Sequence, residues 1–166
     1  MNNPEDIIRD SKTGDYRQAQ HTDKYTQQKA EELGCVVEYS KPNILQIDLD
    51  GEQAYQTFLS QIKLMIALNI IPLDSRVVAR PSKSGNIHIM LVMPEYTDMP
   101  VSKRIQMQAL LGSDLKRETL AVAGLQDGRK NPLVLFRPKE GATMPSYFNP
   151  EDIEQVNVGL SDMFLF

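Results

Sequence analysis

Ile44–Leu45–Gln46–Ile47–Asp48–Leu49–Asp50–Gly51 is an apolar run that closes on two carboxylates one residue apart. Side chains at i and i+2 of a β-strand share a face, so Asp48 and Asp50 project side by side while Ile47 and Leu49 enter a core. Two carboxylates about 5 Å apart repel by about 3 kcal/mol at an effective dielectric near 20, so a fold that presents them this way usually supplies a cation or a proton. Mg²⁺ or Mn²⁺ suits such hard oxygen donors and keeps waters or phosphates in its remaining positions. The simpler alternative is a strand-ending Asp that forms a turn with Gly51.

Outward from this strand the chain alternates in type. From Gly51 to Ile71, apolar residues at Ala54, Phe58, Leu59, Ile62, Met65, Ile66 and Ile70 follow the stripe of a core-facing helix, which Pro72 ends. Arg76–Arg80 reads as a second strand, residues 81–86 as a turn, and Ile87–Met93 as a strongly β-prone third strand closed by Pro94. Ser102 is the expected N-cap of a helix over Lys103–Leu111. Gly112 ends that helix, a second start at Ser113–Asp114 runs to about Ala123, and Leu133–Phe136 forms the last strand. The order from Ile44 to Phe136 is βαββαβ, which predicts an α+β, ferredoxin-like or RRM-like sheet with helices on one face. In that sheet the first and third strands are neighbours, so Asp48, Asp50 and His88 belong to one surface.

With 166 residues and 41% hydrophobic content the chain suits one domain. The reading divides it into a flexible N-terminal arm over 1–20, a single α+β domain over 21–140 with its core at 44–136, and an acidic tail over 141–166. Thr22–Leu33 is helix-permissive and precedes a short strand at Cys35–Val37. No run approaches the roughly 20 apolar residues that span a bilayer, and the N-terminus lacks the pattern of a secretion signal. The expectation is a cytoplasmic protein without a membrane partner. The lone Cys35 excludes an internal disulfide and reads as a small buried hydrophobe. A net charge of −4 argues against coating nucleic acid by electrostatics alone, though Lys and Arg gather locally around residues 76–83, 103–104, 116–117 and 129–139.

Ser82–Lys83–Ser84–Gly85–Asn86–Ile87–His88–Ile89 feeds a small, polar, glycine-bearing turn directly into a strand that opens with histidine. Backbone N–H groups of such a turn can receive phosphate oxygens, and an imidazole can donate to a triphosphate or position a nucleophile. In order and spacing, Ile47–Asp48–Leu49–Asp50 and Ser84–Gly85–Asn86–Ile87–His88 resemble the catalytic core of the archaeo-eukaryotic primase superfamily, which includes primase-polymerases. The resemblance covers residues 44–136, with Asn86 standing where the family often has serine.

What the resemblance implies is a minimal or degenerate nucleotidyltransferase core that acts on nucleic acid in replication. Asp48, Asp50 and His88 would be catalytic. The two aspartates would hold Mg²⁺ or Mn²⁺, with Asp114 the nearest candidate for a third carboxylate. Ser84, Gly85, Asn86 and His88 would meet the phosphates of a nucleoside triphosphate, and Arg117 would lie against a phosphate. The implied partners are that nucleotide and single-stranded DNA or a primer-template. The stretch over 104–118 resembles small proteins encoded by phages and archaeal viruses. Two alternatives stand beside this reading. One is a protein that recognises or hydrolyses free nucleotides. The other is a non-catalytic RRM-like phage accessory protein binding nucleic acid or a host or replication protein, for instance through the acidic, aromatic-tipped C-terminal tail. RRM-type readers show stacking aromatics on the sheet, and Ile87–Met93 contains none.

Overall fold

Leu45, Ile47 and Leu49 alternate with Gln46 and Asp48, and that alternation sets the inner face of a sheet. The computed structural model describes residues 7–9, 16–129 and 131–162, with side chains described within 26–129 and 131–160. In chain order the elements are β1 (Ile7–Arg9), β2 (Tyr16–Gln18), α1 (Ala19–Glu32), β3 (Cys35–Tyr39), β4 (Ile44–Leu49) and α2 (Glu52–Ala67). They continue with β5 (Arg76–Pro81), β6 (Ile87–Val92), α3 (Val101–Leu110), α4 (Leu115–Gln126), β7 (Val134–Pro138) and α5 (Pro150–Asp162). The fold is α+β, as expected.

β4, β6 and β5 form a three-stranded antiparallel sheet with β6 in the centre. Its inner face, Leu45, Ile47, Leu49, Ile87, Ile89, Leu91 and Val77, packs on Tyr55, Phe58, Ile62, Met65 and Ile66 of α2. Those helix positions fall at the 3–4-residue spacing of one helical face. Gly51 makes the connection: its φ of 95° turns the chain from strand to helix, a conformation that costs glycine nothing. Ile153, Val156 and Leu160 of α5 complete this core.

The single sheet expected from the βαββαβ order over 44–136 needs one correction. In the expected sheet the last strand lies beside the first; instead β7 pairs antiparallel with β3 in a separate two-stranded ribbon. The reason is that the outer edge of β4 is already occupied. Gln46 N–H donates to Gln108 Oε1 at 2.9 Å and Gln46 O accepts from Arg117 Nη1 at 2.8 Å. Asp48 N–H donates to Ser113 Oγ at 3.0 Å and Asp48 O accepts from Asp114 N–H at 2.8 Å. Arg117 also donates to Val134 O of β7, so its guanidinium stands where a strand-to-strand ladder would run. The opposite edge is closed in the same manner, with Asn157 of α5 accepting from Val77 N–H at 2.9 Å and donating to Val77 O at 3.1 Å.

Of the arm expected over 1–20, β1 and β2 form an antiparallel pair and residues 19–20 open α1; positions 1–6 and 10–15 lie outside the described residues. The segment expected as an acidic tail over 141–166 docks on the core: Tyr147 and Phe148 pack on it and α5 carries three buried apolar side chains. Tyr55 holds the start of α5, its hydroxyl donating to Asp152 Oδ2 at 2.6 Å. The tip at 163–166, expected to meet a partner, lies outside the described residues. Among the described residues no helix is long and apolar enough to cross a membrane.

Leu160 is 1% exposed, so Leu160→Ala should cost about 2–5 kcal/mol of stability, the range for truncating a buried leucine. Leu115→Ala, at a position 68% exposed, should be nearly neutral. Urea denaturation of both variants checks this, and equal effects would take α5 out of the core.

Candidate functional site

β4 and β6 run antiparallel with Asp48 opposite His88, and β5 places Arg80 opposite His88 on its other side. All three project from the sheet face that α2 does not cover. The β3–β7 ribbon roofs that face. Glu38 of β3 ties it down, its Oε1 accepting from Arg80 Nη1 at 2.9 Å and Arg137 Nε at 2.6 Å, while Gln46 Nε2 donates to Glu38 O at 3.2 Å. At the other end Lys83 Nζ donates to Leu33 O.

Between sheet and ribbon lies a cavity of about 420 Å³, within the size range of small-molecule sites. Its floor and one side are polar, from Asp48, His88, Arg117 and the Ser82–Lys83–Ser84 turn. Its roof is apolar, from Leu33, Cys35 and Val134–Phe136. The turn is held by its own bonds. Asn86 N–H donates to Ser82 Oγ at 2.9 Å, Ser82 and Ser84 hydroxyls are 3.2 Å apart, and Gly85 adopts φ 82°.

The sequence-predicted residues therefore separate into three groups. Asp48, His88, Ser84 and Arg117 line one cavity. Asp50 and Asn86 meet just beyond the end of β4, where Asn86 Nδ2 donates to Asp50 Oδ1 at 2.6 Å, and Gly85 supplies the adjacent bend. Asp114 is the N-cap of α4, its side chain accepting from Lys116 N–H at 3.2 Å. Among the described residues no group of three or more His, Cys, Asp or Glu could hold a metal ion, so Asp114 does not complete a three-carboxylate set.

Arg117 also differs from the expectation of a free phosphate ligand. Its five hydrogen bonds reach Val134 O twice, Gln46 O, Gln46 Oε1 and Glu118 Oε1, a number equal to the donors of a guanidinium. In this arrangement it acts on the cavity by its field. Sequence reading overlooked Lys83 as a cavity residue, and overlooked the buried polar set Gln108, Ser113 and Glu118 behind Arg117. A signal was present: Gln108 stands on the same helical face as Ile105 and Leu111, where an apolar residue is the rule.

Asp48 Oδ1 and His88 Nε2 are 3.5 Å apart. Burial pushes the Asp48 carboxyl up to about 6; Arg117 opposes this, while Asp114, Asp50 and Glu118 add to it. Burial also takes His88 down to about 4, reinforced by Arg117 and Arg80 and opposed by Glu38. At neutral pH the imidazole is therefore uncharged beside an ionised carboxylate, and the two form a polar contact rather than an ion pair.

The two shifts have opposite consequences for stability. Asp48 binds its proton more tightly in the fold, so stability falls as pH rises from the ordinary 3.8 through about 6. His88 resists protonation in the fold, so stability falls as pH drops from the ordinary 6.5 towards about 4. Between about 4 and 6 the folded pair keeps its proton on Asp48 and the unfolded pair keeps it on His88, and the slopes cancel. In the metal-free protein Asp48→Asn should raise stability at pH 7 by up to about 3 kcal/mol. The same variant should lose stability steadily from about pH 6.5 to 4, where the wild type stays level for this pair. Thermal denaturation across a pH series checks both; a variant destabilised at pH 7 and level in acid would overturn the assignment. Comparison of this chain with protein-family models, curated proteins and solved structures gives no match.

Proposed function

We propose that this chain is a primase-like nucleotidyltransferase core that binds a divalent cation and a nucleoside triphosphate in the cavity between the β4–β6–β5 sheet and the β3–β7 ribbon. The observation that carries the reading is the register pairing of Asp48 with His88 beside the Ser82–Lys83–Ser84 turn, all lining one cavity. A carboxylate held above its ordinary range by burial and by neighbouring acids is a group that a cation would relieve. Mg²⁺ is commonly bound through one or two carboxylates plus substrate phosphates, so a site of two aspartates would serve it only together with the nucleotide.

In this reading Asp48 holds the cation from the cavity side, and Asp50, anchored by Asn86 just beyond the end of β4, is the second carboxylate that would reach it from the rim. When bound, the cation supplies charge neutralisation at phosphate oxygens and lowers the pKa of an attacking hydroxyl. Lys83 and the hydroxyls of Ser82 and Ser84 contact the phosphates, and neutral His88 donates an N–H to a phosphate oxygen without adding charge. Arg117 favours anionic phosphate through its field alone. The apolar roof of Leu33, Cys35 and Val134–Phe136 excludes water and accommodates the nucleoside.

The alternative of an RRM-type nucleic-acid reader is less well supported. Such modules stack bases on an open sheet, and here the ribbon covers the corresponding face.

Calorimetric titration of Mn²⁺ into the protein, with and without a nucleoside triphosphate, tests the proposal. The triphosphate should strengthen Mn²⁺ binding, and Asp48→Asn with Asp50→Asn should abolish the coupling while circular dichroism shows an intact fold. Primer extension by the wild type should require the same two carboxylates. Equal Mn²⁺ binding by both proteins would remove the site.

A further inference from the structure

Glu118 is 3% exposed and meets the cavity wall through Arg117, yet three separate connections lead from it to the backbone that carries Asp48. Its Oε1 accepts from Ser113 Oγ at 2.7 Å, and Ser113 Oγ in turn accepts from Asp48 N–H at 3.0 Å. Gln108 Nε2 donates to both carboxylate oxygens, at 3.2 and 3.1 Å, which turns Gln108 Oε1 towards Gln46 N–H at 2.9 Å. Arg117 Nη1 donates to Glu118 Oε1 at 2.6 Å and to Gln46 O at 2.8 Å.

Hydrogen-bond polarity makes these connections directional. Ser113 has one hydroxyl hydrogen; given to Glu118, it leaves only lone pairs for Asp48 N–H. Gln108 has a donor end and an acceptor end; an acceptor-only carboxylate at 118 fixes which end meets Gln46. A neutral amide at 118 would remove that instruction.

We infer that Glu118 is the positioning residue of the Asp48–His88 site, holding β4 in register by orienting Gln108, Ser113 and Arg117. The inference rests on the proposed metal and nucleotide site only for its consequence on binding; the orientation of the β4 edge stands apart from it. Glu118→Gln preserves shape but offers an amide donor to Gln108. Gln108 must then either hold its own donor against the new amide nitrogen or turn that donor towards Gln46 N–H, and in both cases two N–H groups face each other. Gln108→Glu alone places two carboxylates together. The exchanged pair, Gln108→Glu with Glu118→Gln, restores the bonds to Gln46, Ser113 and Arg117 and one of the two between positions 108 and 118, with its direction reversed. The carboxylate now at position 108 accepts from Gln46 N–H and from the amide now at position 118, whose carbonyl accepts from Ser113 and Arg117.

The test is amide hydrogen exchange of Gln46 and Asp48 in the metal-free full chain, combined with Mn²⁺ titration in the presence of a nucleoside triphosphate. Each single variant should speed exchange at both amides by about tenfold or more relative to the core amides of β6. Each should also weaken Mn²⁺ binding by about tenfold, equivalent to about 1.4 kcal/mol. The exchanged pair should return both readings to within about threefold of wild type. Exchange unchanged in Glu118→Gln, or no recovery in the double variant, would overturn the inference. If Glu118→Gln does not fold, the double variant decides alone, since it must fold with protected Gln46 and Asp48 amides. A wild type that binds no Mn²⁺ would defeat the proposed function and leave the exchange result to judge Glu118.

Discussion

Neither edge of the β4–β6–β5 sheet pairs with a further strand; side chains, with the backbone N–H of Asp114, close them, and much else in the molecule depends on that constraint. A strand edge carries N–H and C=O groups that cost about 1–3 kcal/mol each if buried without partners. At β5 one asparagine, Asn157, satisfies both groups of Val77. At β4 four partners are used, and they draw a carboxylate, Glu118, into the interior behind them. A buried charge of that kind is tolerated only when its acceptor capacity is filled, and Ser113, Gln108 and Arg117 fill it. The closed β4 edge diverts β7 to β3, and the ribbon that results roofs the sheet. Without the plug there would be a longer sheet and an open face.

Electrostatically, the cavity is organised around Arg117. Its charge lowers the pKa of Asp48 and also lowers that of His88. One guanidinium therefore favours the ionised acid and the neutral base together, while burial works against both charges. The net effect is a neutral donor next to an anionic carboxylate at pH 7. Tying Arg117 to carbonyls and to Glu118 fixes the origin of that field, which a mobile arginine would not do.

What could be read from the sequence was local. Leu45–Leu49 alternates with period two, the Phe58–Ile66 stripe has helical spacing, and Gly and Pro punctuate the elements; β4, α2, β5 and β6 all form where those signals place them. Asp48 and His88 were legible as neighbours because the strand order of the hairpin and crossover fixes them. The pairing of β7 was not, since it depends on Arg117, Gln108 and Ser113, which reach β4 from 62–71 residues away. α5 was hidden by its acidic first turn, although Ile153, Val156 and Leu160 recur at i, i+3 and i+7. Asp114 looked like a spare carboxylate because capping uses the same residue types as metal binding.

The full commitment of Arg117 also constrains what the cavity can hold. A phosphate that took a hydrogen bond from Arg117 would have to displace Val134 O, Gln46 or Glu118, loosening either the roof or the β4 edge. Lys83 is tied too, through Leu33 O, but an ammonium keeps further donors. Fixed positive charge in the cavity is therefore available mainly as a field, and on the proposed reading direct phosphate contacts would fall to Lys83, the serine hydroxyls and His88. Set against Asp48 and Asp50, that inventory is poor for a free anion and better for an anion that arrives with its own cation. On the proposed function, the side chains that close the β4 edge would thereby also bias the cavity towards a phosphate ligand that carries its own cation.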